Sequence, residues 1–476
     1  MAQTFYFYDL ETSGISARSG RIMQFAGQRT DMNLKPVGEP DNILVKMTSD
    51  VLPDPDAVLV HGITPQLTIT DGITEAEFVK YLTSQVFIPD TIAVGFNNIR
   101  FDDEFIRFTF WRNFTDAYEW AWQEGRSRWD LLDVARMTRA LRPDGIEWPF
   151  ASDGKASNRL ELLASVNKLE HSNAHDALSD VQASIEIARL IRNKQTKLFD
   201  YLLNLRDKKK VAALVTKGDP FIYTSGRYPS EYEKTTVAVA VAPQPERDGA
   251  LIFDLRADPE PYIKMDPAQL ADLWQRRGPE APYFPAKVMG YNRCPAIAPM
   301  SVLDSASAKR LQIKKIKIDE HFTKLSLAKD FGDRLVAALE LVQPAKQPQM
   351  IPDPLKVDEE LYDGFVSNED KTKMRVVRAA TPENIADLQL DFDDERLKLL
   401  FPLYKARNFP KSLNQDEQET WEEFRTQRLI GGGNDSRVSN FFKRIQEVEG
   451  RSHLTENDRY LLQELILYGE SITPEV

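Results

Sequence analysis

Two carboxylates one residue apart, Asp9-Leu10-Glu11, close a short aromatic-rich run at Phe5–Leu10. Alternate residues of a strand point to the same side, so this spacing aims both acids at one spot. Two adjacent carboxylates repel unless a cation lies between them, and a hard divalent metal answers that need. Solvated acids at a strand end have the same pattern. A second group, Asn97-Asn98-Ile99-Arg100-Phe101-Asp102-Asp103, follows an apolar run and reads either as a source of one more carboxylate or as a turn with Asp102 or Asp103 capping a helix. The third is His175-Asp176-Ala177-Leu178-Ser179-Asp180. Here a histidine at a helix entry and an aspartate about 1.4 turns on can face one site. Acids favoured by the helix dipole explain that segment equally well. Each group alone is weak. Together they supply four acids and an imidazole in an order that suits metal-assisted hydrolysis.

The elements that must position these residues are legible as α/β in the first segment. Phe5–Leu10, Ile22–Arg29, Asn42–Met47 and Thr91–Phe96 read as strands, and Asp103–Arg112, Leu131–Leu141, Leu160–Val166 and Asp176–Arg192 as helices. Phe221–Thr224, Thr235–Val241, Ala250–Asp254 and Lys287–Met289 read as short strands of a small β-rich module. Four prolines within residues 344–354 mark a linker. Beyond it, Asn384–Leu400, Gln415–Arg428, Val438–Val448 and Glu456–Tyr468 have helical spacing, interrupted by Gly431-Gly432-Gly433. This gives domains over 1–196, 197–346 and 347–476.

Composition narrows the class. The 476 residues are 42% hydrophobic and 28% charged, as expected of a globular protein of several domains. A mean hydropathy of −0.43 and no long apolar run exclude a transmembrane helix. MAQTFYFYDLETSG has no basic n-region, and the single cysteine, Cys294, provides neither a disulfide framework nor a thiolate cluster, so a cytoplasmic location is expected. The net charge of −12 argues at first against a nucleic-acid partner. Its distribution argues otherwise: residues 197–346 carry 24 basic and 19 acidic side chains, a local +5.

In order and context, Asp9, Glu11, Asp102, His175 and Asp180 match the histidine-containing DEDD exonuclease pattern. HGITPQ (61–66), GFNNIRFDDEF (95–105), SRWDLLDVARM (127–137), ALRPDGIEWP (140–149), EHSNAHDALSDV (170–181), LFDYLL (198–203), RCPAIAP (293–299), LYDGF (361–365) and YKARNFP (404–410) extend the likeness over nearly the whole chain. The sequence thereby resembles the bacterial exodeoxyribonuclease I family. That resemblance implies an RNase H-like exonuclease domain, an SH3-like β-rich module and a C-terminal helical domain. It implies processive removal of 5′-mononucleotides from the 3′ end of single-stranded DNA, in repair and recombination, by a monomer.

The chemistry fits the residues. Phosphodiester hydrolysis needs an activated water and a stabilised leaving oxyanion, which two divalent ions about 3.5–4 Å apart can provide. Asp9, Glu11, Asp102 and Asp180 form the expected ligand set for two Mg²⁺, with Mn²⁺ able to substitute. Glu11 is also expected to touch the terminal sugar, and His175 to act as general base with an ordinary pKa near 6.5.

Strand contacts implied by similarity are Arg107, Tyr118, Trp122, Arg136 and Arg159, then Lys208 and Tyr362. Tyr118 and Trp122, four apart on an expected helix, can present one face to bases, whereas Trp111, Trp120 and Trp129 read as core. The basic stretch Lys309–Lys317 reads as a solvated helical face or as a dock for an acidic peptide. The family binds the C-terminal tail of single-stranded-DNA-binding protein, with Arg142, Tyr201 and Lys315 as the residues expected here. Rival readings are an exoribonuclease or proofreading exonuclease of the same superfamily, and a catalytically silent DNA-binding adaptor.

Overall fold

The structure, a computed structural model, describes residues 2–169, 176–278, 280–343 and 351–475. The chain divides into two compact units. One comprises Met1–Ser127, Ser172–Gln182 and Met350–Val476; the other comprises Arg128–His171 and Ala183–Gln349.

In the first unit, strands β1 (Thr4–Thr12), β2 (Ile22–Thr30), β3 (Asp41–Leu44) and β4 (Thr91–Gly95) run in the order β3-β2-β1-β4. Phe5, Tyr6, Phe7 and Tyr8 are all buried, so β1 is covered on both faces, as a central strand must be. It pairs antiparallel with β2, placing Asp9 opposite Ala26 and Glu11 opposite Gln24. Its parallel pairing with β4 runs only from Thr4↔Thr91 to Phe7↔Val94, which leaves Asp9 and Glu11 beyond the paired stretch at the carboxyl end of the strand. Third strand β3 is shorter than the sequence suggests. Val45 still donates to the Met23 carbonyl of β2, but Lys46 turns away to the carbonyl of Ile73.

The helix Asp102–Arg112 buries Phe108 and Trp111 in a core shared with Phe114, Val357, Leu361, Leu397, Leu400 and Tyr404. Trp111 donates its indole N–H to the Val357 carbonyl at 3.0 Å, and the Phe114 ring lies 5.3 Å from that of Tyr404. Residues from the two ends of the chain thus complete one core. A buried ion network joins them again. Asp358 takes Arg21 and Arg407 at 2.9 Å each, and Arg407 reaches Asp50 at 2.8 Å. Arg428 approaches Asp358 at 3.3 Å. Arg21 also donates its backbone N–H to the Ser13 hydroxyl at 2.8 Å, just past the end of β1.

The C-terminal helices are Asn368–Ala379, Glu395–Asn408, Gln415–Ile430, Arg437–Glu449 and Glu456–Ile472. The expected helix Asn384–Leu400 is displaced. The Asp370 carboxylate accepts the backbone N–H groups of Asp393 and Asp394, and the helix starts only after Asp394 caps it.

The chain leaves the first unit at β5 (Ser127–Asp130). In the second unit an antiparallel sheet has the order β10-β6-β7-β8-β9, with β6 Phe221–Thr224, β7 Thr235–Pro243, β8 Gly249–Asp254, β9 Ala286–Gly290 and β10 Ala296–Pro299. The helix Leu131–Leu141, N-capped by Asp130, and the helix Thr196–Asn204 belong to this unit, and Trp129 packs edge-on against Phe199. Of the proposed linker only residues 351–354 are described.

Candidate active site

β1 delivers Asp9 and Glu11 from one side, both partly buried between the buried Tyr8, Leu10 and Thr12. The helix Ala177–Lys194 delivers Asp180 from its first turn. Single carboxylate oxygens of Asp9, Glu11 and Asp180 all lie within 4.8 Å of one another.

Asp102 begins the helix that follows β4, and the turn before it is tightly specified. Gly95 packs so closely that a Cβ there would sit 2.6 Å from that of Asn98, and Asn97 adopts a left-handed φ of 78°, which asparagine tolerates. Neither Asp102 nor Asp103 caps the helix; Phe101 holds that position with no side-chain bond. The two acids have separate surroundings. Asp103 is fully buried and accepts the Tyr8 hydroxyl at 2.5 Å and the Asn98 amide at 3.2 Å, which pins the helix start to β1. Asp102 stands outside the 4.8 Å group yet is the strongest charged neighbour of Asp9.

The electrostatics are those of a site holding too much negative charge. Burial first, then Asp102, Asp180, Glu11 and Asp176, pushes the Asp9 carboxyl well above the usual carboxylate range. Burial, then Asp180, Asp102 and Asp176, pushes Glu11 up to about 8. Asp176 is an acid that sequence reasoning left out of the site. Its carboxylate also accepts the Ser179 N–H at 3.2 Å, and its only signal in the sequence is its position beside His175. His175 itself lies outside the described residues.

Four of the expected strand contacts lie in the first unit. Arg107 pairs with Glu104 at 2.6 Å, and its guanidinium sits 5.6 Å above the Tyr118 ring. Tyr362 donates its hydroxyl to the same Glu104 and stands edge-on to Phe108. Tyr118 and Trp122 are 36% and 64% exposed, whereas Trp111, Trp120 and Trp129 are buried. The α-helix expected under Tyr118 and Trp122 is instead a single 3-10 turn, Glu119–Ala121, flanked by these two residues. Asp116 sets that turn by accepting the N–H groups of Tyr118 and Glu119.

The remaining expected contacts lie in the second unit. Arg136 pairs with Asp133 at 2.8 Å, Arg159 is exposed and 3.8 Å from Glu161, and Lys208 pairs with Asp248. Arg142 donates to the Val302 carbonyl at 2.8 Å and lies 3.3 Å from Asp304. Burial raises the Tyr201 hydroxyl to about 12. The stretch Lys309–Lys317 is not one helical face: the helix Ser305–Arg310 ends inside it and a second, Lys315–Leu327, begins there, with Lys315 exposed.

Comparison with known proteins gives a consistent assignment. Residues 6–188 match the family model described as Exonuclease, 206–340 the Exonuclease I SH3-like domain and 355–472 the Exonuclease I C-terminal domain. The chain is 37% identical to exodeoxyribonuclease I of Haemophilus influenzae over 98% of both chains. It is 39% identical to that of Escherichia coli over 89% of both. E. coli exonuclease I in complex with a dA16 oligonucleotide superposes with a TM-score of 0.93 at 36% identity, covering 99% of this chain and 100% of that one. The zinc-bound form of the E. coli enzyme with single-stranded DNA gives 0.92 at 35%, with the same coverage. A structure of SSB/exonuclease I with an inhibitor gives 0.90 at 35%, again covering 99% and 100%. The expected order of exonuclease, SH3-like and C-terminal domains holds, and the chain belongs to the exodeoxyribonuclease I family.

Proposed function

We propose that this protein degrades single-stranded DNA from the 3′ end to 5′-mononucleotides, processively, as a monomeric cytoplasmic enzyme of DNA repair and recombination. The observation that carries the reading is the convergence of Asp9, Glu11 and Asp180 within 4.8 Å, with Asp102 close by. Hard oxygen donors crowded until their own charge is disfavoured suit a divalent cation, and Mg²⁺, or Mn²⁺ in its place, is the assignment made here. When bound, a pair of such ions supplies the water activation and charge neutralisation that displacement at phosphorus requires.

The chain's own residues do the rest. Asp9, Glu11, Asp102 and Asp180 hold the cations, and Glu11 also receives the terminal sugar. His175, placed by its motif, takes the proton of the attacking water. Tyr118, Trp122 and Tyr362 offer ring faces to bases, while Arg107, Arg136, Arg159 and Lys208 meet phosphates. Arg142, Tyr201 and Lys315, all in the second unit, receive the acidic tail of single-stranded-DNA-binding protein. The domains run over 1–196, 197–346 and 347–476.

The test is hydrolysis of 5′-labelled single-stranded DNA with Mg²⁺ present or chelated. Stepwise shortening that needs the metal and fails on a 3′-blocked strand is expected, with a His175→Ala variant slower by about 10²–10⁴-fold. Equal activity on RNA would favour the exoribonuclease reading. Tight binding without cleavage would favour a silent adaptor, and wild-type turnover by His175→Ala would remove the histidine from its role.

A further inference from the structure

The two acids that open the helix Asp102–Arg112 have different tasks. Asp102 is the strongest charged neighbour of Asp9. Asp103 is fully buried and takes both the Tyr8 hydroxyl, at 2.5 Å, and the Asn98 amide, at 3.2 Å, on the same carboxylate oxygen. Tyr8 immediately precedes Asp9 on β1. One hydrogen bond therefore ties the residue before one expected ligand to the residue after another, 95 positions apart in the chain.

Both ends of that bond are fixed. The buried Tyr8 ring lies nearly parallel to Phe25, with centroids 6.1 Å apart, and meets Phe87 edge-on at 6.2 Å. Its hydroxyl is thereby held in one place. The turn that leads into the helix lies against β1 itself: a Cβ on Gly95 would come within 3.1 Å of the Tyr8 carbonyl oxygen, and Asn98 is fully buried. The load on the bond comes from the acidic cluster. Two carboxylates repel when no cation lies between them, so Asp9 and Asp102 act to part the helix start from β1. The Tyr8–Asp103 bond opposes that separation.

We propose that Tyr8 and Asp103 are positioning residues for the metal site: their bond holds Asp102 against Asp9 at the spacing a divalent cation needs, so the ligands are set before the ion arrives. This role rests on the reading of Asp9, Glu11, Asp102 and Asp180 as cation ligands. β1 carries a built-in control. Tyr6, two residues earlier, is likewise buried, stacks on the same Phe25 at 6.2 Å and donates its hydroxyl to a carboxylate, Asp41, outside the acidic cluster. If such bonds served only to stabilise the sheet, losing either one would have the same kind of effect.

Full-length Tyr8→Phe and Tyr6→Phe variants test this, with Mn²⁺ alone titrated by electron paramagnetic resonance and nuclease kinetics on oligo(dT) read alongside. Tyr8→Phe is expected to bind Mn²⁺ about 10–100-fold more weakly, the loss typical when the supporting shell of a metal site is cut. Its kcat should fall at low Mg²⁺ and recover as Mg²⁺ is raised, with KM for oligo(dT) and binding of the strand in chelator unchanged. Tyr6→Phe is expected to lower the melting temperature and to leave Mn²⁺ affinity at the parent value. Near-ultraviolet dichroism should stay native-like in both, so that neither result reports a loss of folding. Parent-like Mn²⁺ affinity in Tyr8→Phe, or an equal loss in Tyr6→Phe, would overturn the proposal. A parent chain that binds no Mn²⁺ refutes the metal reading itself; a parent that binds it no more tightly than Tyr8→Phe refutes only the positioning role.

Discussion

At the scale of single residues, the acidic cluster is a place where the fold gives up stability. A carboxyl whose pKa is raised by folding weakens the native state at every pH above its unfolded value, because the ionised form is better solvated in the open chain. Asp9 and Glu11 are both raised by burial and by each other's neighbours. An Asp9→Asn variant is therefore expected to lose nuclease activity yet to gain about 0.5–2 kcal/mol in the metal-free state, as relief of an active-site strain typically gives. Thermal melts with and without Mg²⁺ check this. The ion should raise the wild-type midpoint and have a much smaller effect on Asp9→Asn. Asp9, Glu11, Asp102 and Asp180 were legible only jointly, because three motifs that are weak alone stand in an order that resembles the histidine-containing DEDD exonuclease pattern. Asp176 was not, since an acid just before a helix start is ordinary.

At the scale of elements, the ion network is where charge holds segments in register. Burial alone would raise Asp358, but Arg407, Arg21 and Arg428 outweigh it and hold the carboxyl well below its usual range. Asp50 is lowered by the same balance, led by Arg407 and Arg428. For carboxyls depressed by folding, the stabilisation is present above the unfolded pKa, near 3.9, and fades as pH falls below it. Melting temperature should thus hold near neutrality and fall steeply below about pH 4. Asp358→Asn, which keeps the shape but strands its arginines, should cost about 3–5 kcal/mol at pH 7, measurable by denaturant unfolding. None of this was visible in the sequence. Arg21, Asp50, Asp358, Arg407 and Arg428 are scattered along the chain, and each taken alone looks like a surface charge. The misplaced helix near 384–400 has a similar origin: its apolar spacing is real, but Asp370, far back in the sequence, takes the two N–H groups that set its true start.

At the scale of the whole molecule, three successive sequence domains are not three independent bodies. The helix bearing Asp102 completes its core with Val357, Leu397, Leu400 and Tyr404. The Tyr468 hydroxyl bonds the carbonyls of Thr48 and Val51. A chain truncated after residue 349 is therefore expected to lack a stable exonuclease domain despite retaining every expected ligand. Loss of near-ultraviolet dichroism and rapid proteolysis of residues 1–127 would register this, whereas a native-like, active fragment would show that the shared core is dispensable. The net charge of −12 was a poor guide at this scale, because it averages a metal-binding cluster of acids with a middle segment of +5.

That shared core also sets a timetable for synthesis. Residues 1–127 leave the ribosome long before residues 350–476, with more than two hundred residues of the other unit in between. At about 5–20 residues per second, the interval is roughly 10–45 s. Throughout it, Phe108, Trp111 and Phe114 lack the C-terminal residues that complete their core, and the strand carrying Asp9 and Glu11 belongs to an unfinished body. The nascent chain thus holds its DNA-degrading chemistry unassembled until its last segment has been made.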